Sequence, residues 1–139
     1  MNFETTVKVR FSDVDRAGIA YYPNLVHYLH VAFEEFFEGF VGVPYATVLE
    51  RDNLGFPAVA LKMDFHEPLR FGEEIRVQVA ISHLGRTSIQ FRYRLVDTKG
   101  KSRAEARVTV VCVALDTLEP QELPEPYRGH FARAVEEER

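Results

Sequence analysis

Phe11-Ser-Asp13-Val-Asp15-Arg-Ala-Gly18-Ile-Ala-Tyr21-Tyr22-Pro23-Asn24 separates two unlike patterns. Behind it, Phe3-Glu-Thr-Thr-Val-Lys-Val-Arg-Phe11 mixes β-branched and charged residues in rough alternation, which predicts a first strand. Ahead of it, Leu25, Val26, Leu29, Ala32, Phe33, Phe36, Phe37 and Phe40 recur at threes and fours, while His27, His30, Glu34 and Glu38 share the other side. That spacing predicts one amphipathic helix of about 18 residues, about 27 Å long at a 1.5 Å rise. Pro23 suits the first helical position, where a missing N–H costs nothing, and the Gly39 to Gly42 region before Pro44 closes the helix.

Residues 44–56 predict a connection with a short helical turn over Tyr45 to Arg51. From Pro57 the period becomes two. Val59, Leu61, Met63 and Phe65 alternate with polar or small residues, a break follows over Pro68 to Glu73, and Ile75, Val77, Val79 and Ile81 alternate again. After a Leu84-Gly85-Arg86 turn come Ile89, Phe91, Tyr93 and Leu95, and Asp97-Thr-Lys-Gly100 supplies a hairpin turn. Arg103 to Leu115 is apolar on both faces from Val108 onward, as a central or interface strand would be. A short C-terminal helix is expected within 124–137. The whole is a single α+β domain over 1–139, with an antiparallel sheet of about five strands curved around the long helix.

Composition narrows the function. A chain of 139 residues, 46% hydrophobic and 12% aromatic, can bury a core without disulfides or metal. Its net charge of −4 disfavours nucleic acid or an anionic membrane as the main partner. The segment from His83 to Arg107 is different: seven basic residues against two acids suit a small anionic ligand. The lone Cys112 cannot form an internal disulfide, which fits a reducing cytoplasm. The N-terminus carries no leader pattern, and no run approaches the roughly 18 apolar residues of a membrane span.

Asp13 and Asp15 beside Gly18 have two readings. Such acids commonly accept local backbone bonds as turn formers. An acid in a loop that feeds a helix N-terminus also sits beside unpaired N–H groups and a positive dipole end, a setting that suits an electrophilic carbonyl and acyl transfer. The expected N-cap, Tyr22, offers no side-chain acceptor, so the first helical donors stay open for an oxyanion. His27, His30 and Glu34 share a helix face, but nothing else in the chain completes a metal site and none is expected. His66 and Glu67 beside Pro68 read as a polar cluster at a strand end rather than an acid/base pair.

The twelve positions from Asp13 to Asn24, followed by Tyr28-Leu29, closely resemble the signature of the 4-hydroxybenzoyl-CoA thioesterase family of hotdog-fold acyl-CoA thioesterases. The later strands match that family by pattern more than by identity. The resemblance implies hydrolysis of a CoA thioester to free acid and CoA. It makes Asp15 the catalytic carboxylate, acting as nucleophile or general base, the Tyr22 backbone N–H the donor that polarises the carbonyl, and Gly18 the residue that lets the loop approach the ligand. Asp13 then organises the loop. Arg86, Thr87 and Ser88 would bind CoA phosphates through a guanidinium, two hydroxyls and backbone donors, leaving Arg92 and Arg94 to solvate a strand face. Apart from the resemblance, Tyr21, Tyr22 and Tyr28 near the helix start are candidates to line the acyl site or to pack in the core or an interface. No cofactor is implied beyond the CoA of the substrate. Homodimers or tetramers with sites between subunits are implied as well. A non-catalytic acyl-CoA or acyl-carrier binding module on the same fold is the alternative.

Overall fold

The computed structural model describes residues 3–136. β1 (Phe3–Lys8) leads through the Asp/Gly loop into α1 (Tyr22–Phe36), which continues as a π-helical turn over Phe37–Val41 and stops at Gly42. Gly42 lies at φ +86°, a left-handed conformation natural to a glycine that ends a helix. α2 (Tyr45–Glu50) and the two-residue β2 (Leu54–Gly55) precede β3 (Ala58–Phe65), β4 (Glu74–Leu84), β5 (Ser88–Val96) and β6 (Ser102–Val111). β7 (Val113–Ala114) pairs with β2, and α3 (Tyr127–Ala132) follows.

The large sheet is antiparallel throughout, in the order β1-β4-β5-β6-β3. Its register fixes which residues meet the helix. Val79 lies opposite both Phe3 and Tyr93, and Tyr93 lies opposite Ala106, which faces Met63. Strand alternation therefore puts Ile75, Val77, Val79, Phe91, Tyr93 and Leu95 on one buried face, while Arg76, Gln78, Arg92 and Arg94 fall on the other. α1 lays Leu25, Tyr28, Leu29, Ala32, Phe33 and Phe36 against the apolar face. Register shifts at Ala58/Ala60, Ile81/His83 and Leu95/Val96 are bulges, which bend strands and sharpen their twist around the helix.

Four boundaries differ from the sequence reading. α1 begins at Tyr22, so Tyr21 is the N-cap and Pro23 the second helical residue, one position later than expected. β1 ends at Lys8 because Val9 turns to pair with the loop before β4: its N–H donates to Glu73 O at 2.9 Å and its carbonyl accepts Gly72 N–H. The apolar run expected as one last strand divides at Cys112, with β6 staying in the large sheet and β7 joining β2. Cys112 is buried, and that burial pushes its thiol up to about 11. The C-terminal helix is six residues long, preceded by Pro124 and Pro126, and the end of its expected 124–137 span lies outside the described residues.

Candidate active site

The Asp/Gly loop folds as a miniature hairpin. Val14 bridges Ala20, Tyr21 N–H donates to Asp13 O at 2.9 Å, and Asp15 N–H donates to Ile19 O at 2.9 Å. The turn closes with Gly18 N–H on Asp15 O at 3.0 Å. Gly18 has φ +80°, the left-handed position that completes a three-residue hairpin loop. Asp15 sits at the start of this turn, exposed, with Oδ1 accepting Ala17 N–H at 2.8 Å. Its Oδ2 makes no hydrogen bond among the described residues.

Asp13 has a different environment. Its Oδ2 accepts the Tyr28 hydroxyl at 2.7 Å and the Arg10 N–H at 3.0 Å, and its carbonyl accepts Asn24 Nδ2 at 2.8 Å. The first limb of the hairpin is thereby tied to the first two turns of α1. Tyr28 is buried in the core, and burial together with the Asp13 carboxylate raises its hydroxyl pKa. The Tyr28 hydroxyl thereby ties α1 to Asp13. Tyr21 and Tyr22 are exposed, with their rings packed edge to face 5.3 Å apart.

At the helix start, Asn24 N–H is engaged by Tyr21 O, Pro23 has no N–H, and Tyr22 N–H meets no acceptor among the described residues. This open donor lies at the positive end of α1. Tyr22 also lines a groove of about 250 Å³ together with Ile19, Ala20, Leu25 and the Phe65 to Leu69 segment. The hairpin's return limb forms one wall: Ile19 bridges Arg70, and Ala20 N–H donates to Leu69 O at 2.7 Å. A carbonyl placed in this groove could meet the Tyr22 N–H on one side and the hairpin carrying Asp15 on another.

His66 and Glu67 also lie in the wall, a position the sequence did not disclose beyond the Pro68 break. Glu67 is engaged by Lys101 Nζ at 2.6 Å and Arg103 Nε at 3.4 Å, whereas His66 lies 4.0 Å from Glu105. A second, apolar cavity of about 240 Å³ runs between α1 and the sheet, lined by Leu29, Phe33, Phe56, Leu61 and Tyr93 among others. At the edge of this cavity, His30 Nε2 pairs with Glu34 at 2.7 Å.

Arg86, Thr87 and Ser88 lie at the β4–β5 turn, far from Asp15 within one chain. β4 begins beside β1 and the hairpin, and its ten residue steps to Leu84 extend about 33 Å at 3.3 Å per residue. The turn packs on the C-terminal segment: Arg86 O accepts Leu123 N–H at 3.2 Å and Arg128 Nη2 at 2.7 Å, and the Arg86 guanidinium is 3.8 Å from Glu122. Arg92 and Arg94 fall on the outer sheet face in a charged groove, paired with Glu136 at 2.9 Å and Glu105 at 3.4 Å.

Comparison with known proteins gives the family and the fold. The 1,4-dihydroxy-2-naphthoyl-CoA hydrolase of Thermosynechococcus vestitus is 28% identical over 93% of this chain and 88% of its own length. The acyl-CoA thioester hydrolase YbgC of Escherichia coli O6:H1 is 26% identical over 93% of this chain and 95% of its own. A solved thioesterase-superfamily structure from Jannaschia sp. CCS1 superposes with a TM-score of 0.90 at 25% identity, covering 97% of this chain and 94% of the other. Residues 9–131 match the model of one family, from the hairpin through the helix and β3 to β6 to the start of α3, and the chain accordingly belongs to the Thioesterase-like superfamily and is a hotdog-fold thioesterase.

Proposed function

We propose that this thioesterase hydrolyses an acyl-CoA to the free acid and CoA, with Asp15 as the reacting carboxylate and the Tyr22 N–H as the donor to the thioester oxygen. One observation carries this reading: Tyr22, whose backbone N–H at the helix N-terminus has no acceptor among the described residues, lines one groove together with Ile19 and Ala20 of the hairpin that carries Asp15. As the carbonyl carbon is attacked, negative charge gathers on its oxygen, and a fixed N–H with the helix dipole behind it stabilises that charge more than the ground state. Asp15 attacks the carbon itself or takes a proton from the attacking water. In the first route the carbon–sulfur bond breaks to leave an acyl–Asp15 anhydride and a CoA thiolate that takes a proton, and water then cleaves the anhydride to free the acid and restore Asp15. In the second, the water oxygen joins the carbon, and the proton Asp15 takes passes to the departing CoA sulfur.

The relative positions of Asp15 and Arg86 support a dimer. β3 is a sheet edge, and its Phe65 end is at the hairpin while its Ala58 end is near the Arg86 turn. Antiparallel pairing of two β3 strands about a two-fold axis would bring the partner's turn to the same end as Asp15. CoA would then be held through its phosphates by Arg86, Thr87 and Ser88 of one chain while its thioester reaches the hairpin of the other.

The test is hydrolysis of a panel of aliphatic and aromatic acyl-CoAs, read as free thiol. Wild-type turnover of at least one, with a loss of about 100-fold or more in Asp15→Asn, is expected for removal of an acid/base or nucleophilic group. Because Asp15 is exposed, unfolding free energy should stay within about 0.5 kcal/mol. Binding of a CoA ester with no turnover would favour the non-catalytic module instead.

A further inference from the structure

We propose that Arg103 is a positioning residue for this site: it holds the 66–73 segment, and through that segment the hairpin limb that fixes Asp15 relative to Tyr22. The inference rests on the thioesterase reading of the hairpin. Arg103 is the second residue of β6, and its side chain is 13% exposed. Its carbonyl accepts the N–H groups of His66 at 2.8 Å and Glu67 at 3.1 Å. Its guanidinium donates through Nη1 to Pro68 O at 2.8 Å, through Nη1 and Nη2 to the Glu73 carboxylate at 3.2 and 2.6 Å, and through Nε to Asp97 Oδ2 at 3.0 Å. One side chain therefore grips both ends of the segment.

The grip reaches the hairpin in short steps. Glu73 Oε1 accepts Arg70 N–H at 2.7 Å, and Arg70 bridges Ile19, whose carbonyl accepts Asp15 N–H. Leu69, between Pro68 and Arg70, accepts Ala20 N–H. The hairpin's two limbs thus have separate supports. The Asp13 limb is tied to α1 through Tyr28 and Asn24, and the Ile19–Ala20 limb is tied to the segment Arg103 holds. Weakening the second support moves Gly18 and Asp15 while Tyr22 stays on the helix. A misplacement of about 1 Å in such a pair can cost about 100-fold in rate. Lysine cannot reproduce the grip, because a point charge lacks the planar fork that meets Pro68, Glu73 and Asp97 together.

Arg103→Ala and Arg103→Lys, compared with wild type, test this by kinetics and by peptide-level hydrogen exchange. The expected result is a fall in kcat of about tenfold or more with KM changed less than about twofold, together with faster exchange in residues 14–21 and unchanged exchange in β5 and the second half of α1. Unchanged kcat, a rise in KM alone, slower turnover without faster exchange at 14–21, or faster exchange spread over the whole chain would each overturn it. If the alanine variant does not fold, Arg103→Lys decides by the same readouts. If wild-type protein cleaves no thioester, the catalytic reading fails, and the exchange comparison still decides whether Arg103 holds the hairpin.

Discussion

The Tyr28 hydroxyl donates to Asp13 Oδ2 at 2.7 Å, joining a core helix to the loop that presents Asp15. The bond is charge-assisted and its donor is buried, so removing the hydroxyl deletes a stronger than average hydrogen bond. Tyr28→Phe keeps the ring packing and should lower unfolding free energy by about 1.5–3 kcal/mol in urea titration. It should also reduce kcat, since the first hairpin limb then loses its tie to the buried face of α1 and keeps Asn24 as its side-chain link to that helix. A variant as stable and active as wild type would remove Asp13 from its organising role.

Phe36 is the centre of the aromatic core, with ring centroids of Phe3, Phe37, Phe40, Phe91 and Phe131 at 5.0 to 6.2 Å. These neighbours come from β1, the π-helical turn, β5 and α3, so the site cannot collapse by moving one element. Phe36→Ala should destabilise by about 3–5 kcal/mol, the range for emptying a fully buried aromatic position. Denaturant midpoints at constant m-value would measure it.

The architecture was legible because both of its periods are clean. Leu25 through Phe36 mark one helix face at threes and fours, and Ile75 to Ile81 and Ile89 to Leu95 alternate strictly, so element type and order follow from pattern. The breaks were not legible. Cys112 is as apolar as its neighbours, and only the pairing of Val113 with Gly55 shows that the chain has left the large sheet. In the site, the short motif placed Asp15, Gly18 and Tyr22 together because all three lie on one hairpin and the helix after it. The tie from Tyr28 to Asp13 was not legible, because sequence shows a helix face but not which neighbour its hydroxyl reaches. Arg103 was one of seven basic residues in a charged stretch, and its separate role depends on Glu73 and Pro68, thirty or more positions away.

Acid should weaken the same support. The Arg103 guanidinium holds Glu73 below the usual carboxylate range, and the Lys101 N–H, with Arg103, does the same for Asp97. A carboxylate whose folded pKa is depressed adds stability above its unfolded value of about 4 and loses it as pH falls toward the folded value, because the unfolded chain binds more protons in between. Unfolding free energy from urea titrations should therefore decline steadily below about pH 4.5. Arg103→Gln should flatten that slope, and an equal slope in both proteins would mean that other carboxylates set the acid limit.

The exposed edge makes a prediction about sharing of the site. Val59, Leu61 and Phe65 are 62%, 50% and 51% exposed on β3, whose outer backbone groups have no strand partner among the described residues. A long apolar edge of this kind is normally covered. Sedimentation at micromolar concentration should give the mass of at least two chains, and Leu61→Lys should shift it toward one while activity falls in step with the dimer fraction. A sharper measurement uses two disabled variants, Asp15→Asn and Arg86→Ala. If the catalytic carboxylate and the Arg86 turn act across the two-fold, a heterodimer of the variants carries one doubly damaged site and one intact site. Random exchange of subunits should then restore about a quarter of wild-type sites, whereas residues acting within one chain would leave the mixture no more active than the mean of the two variants.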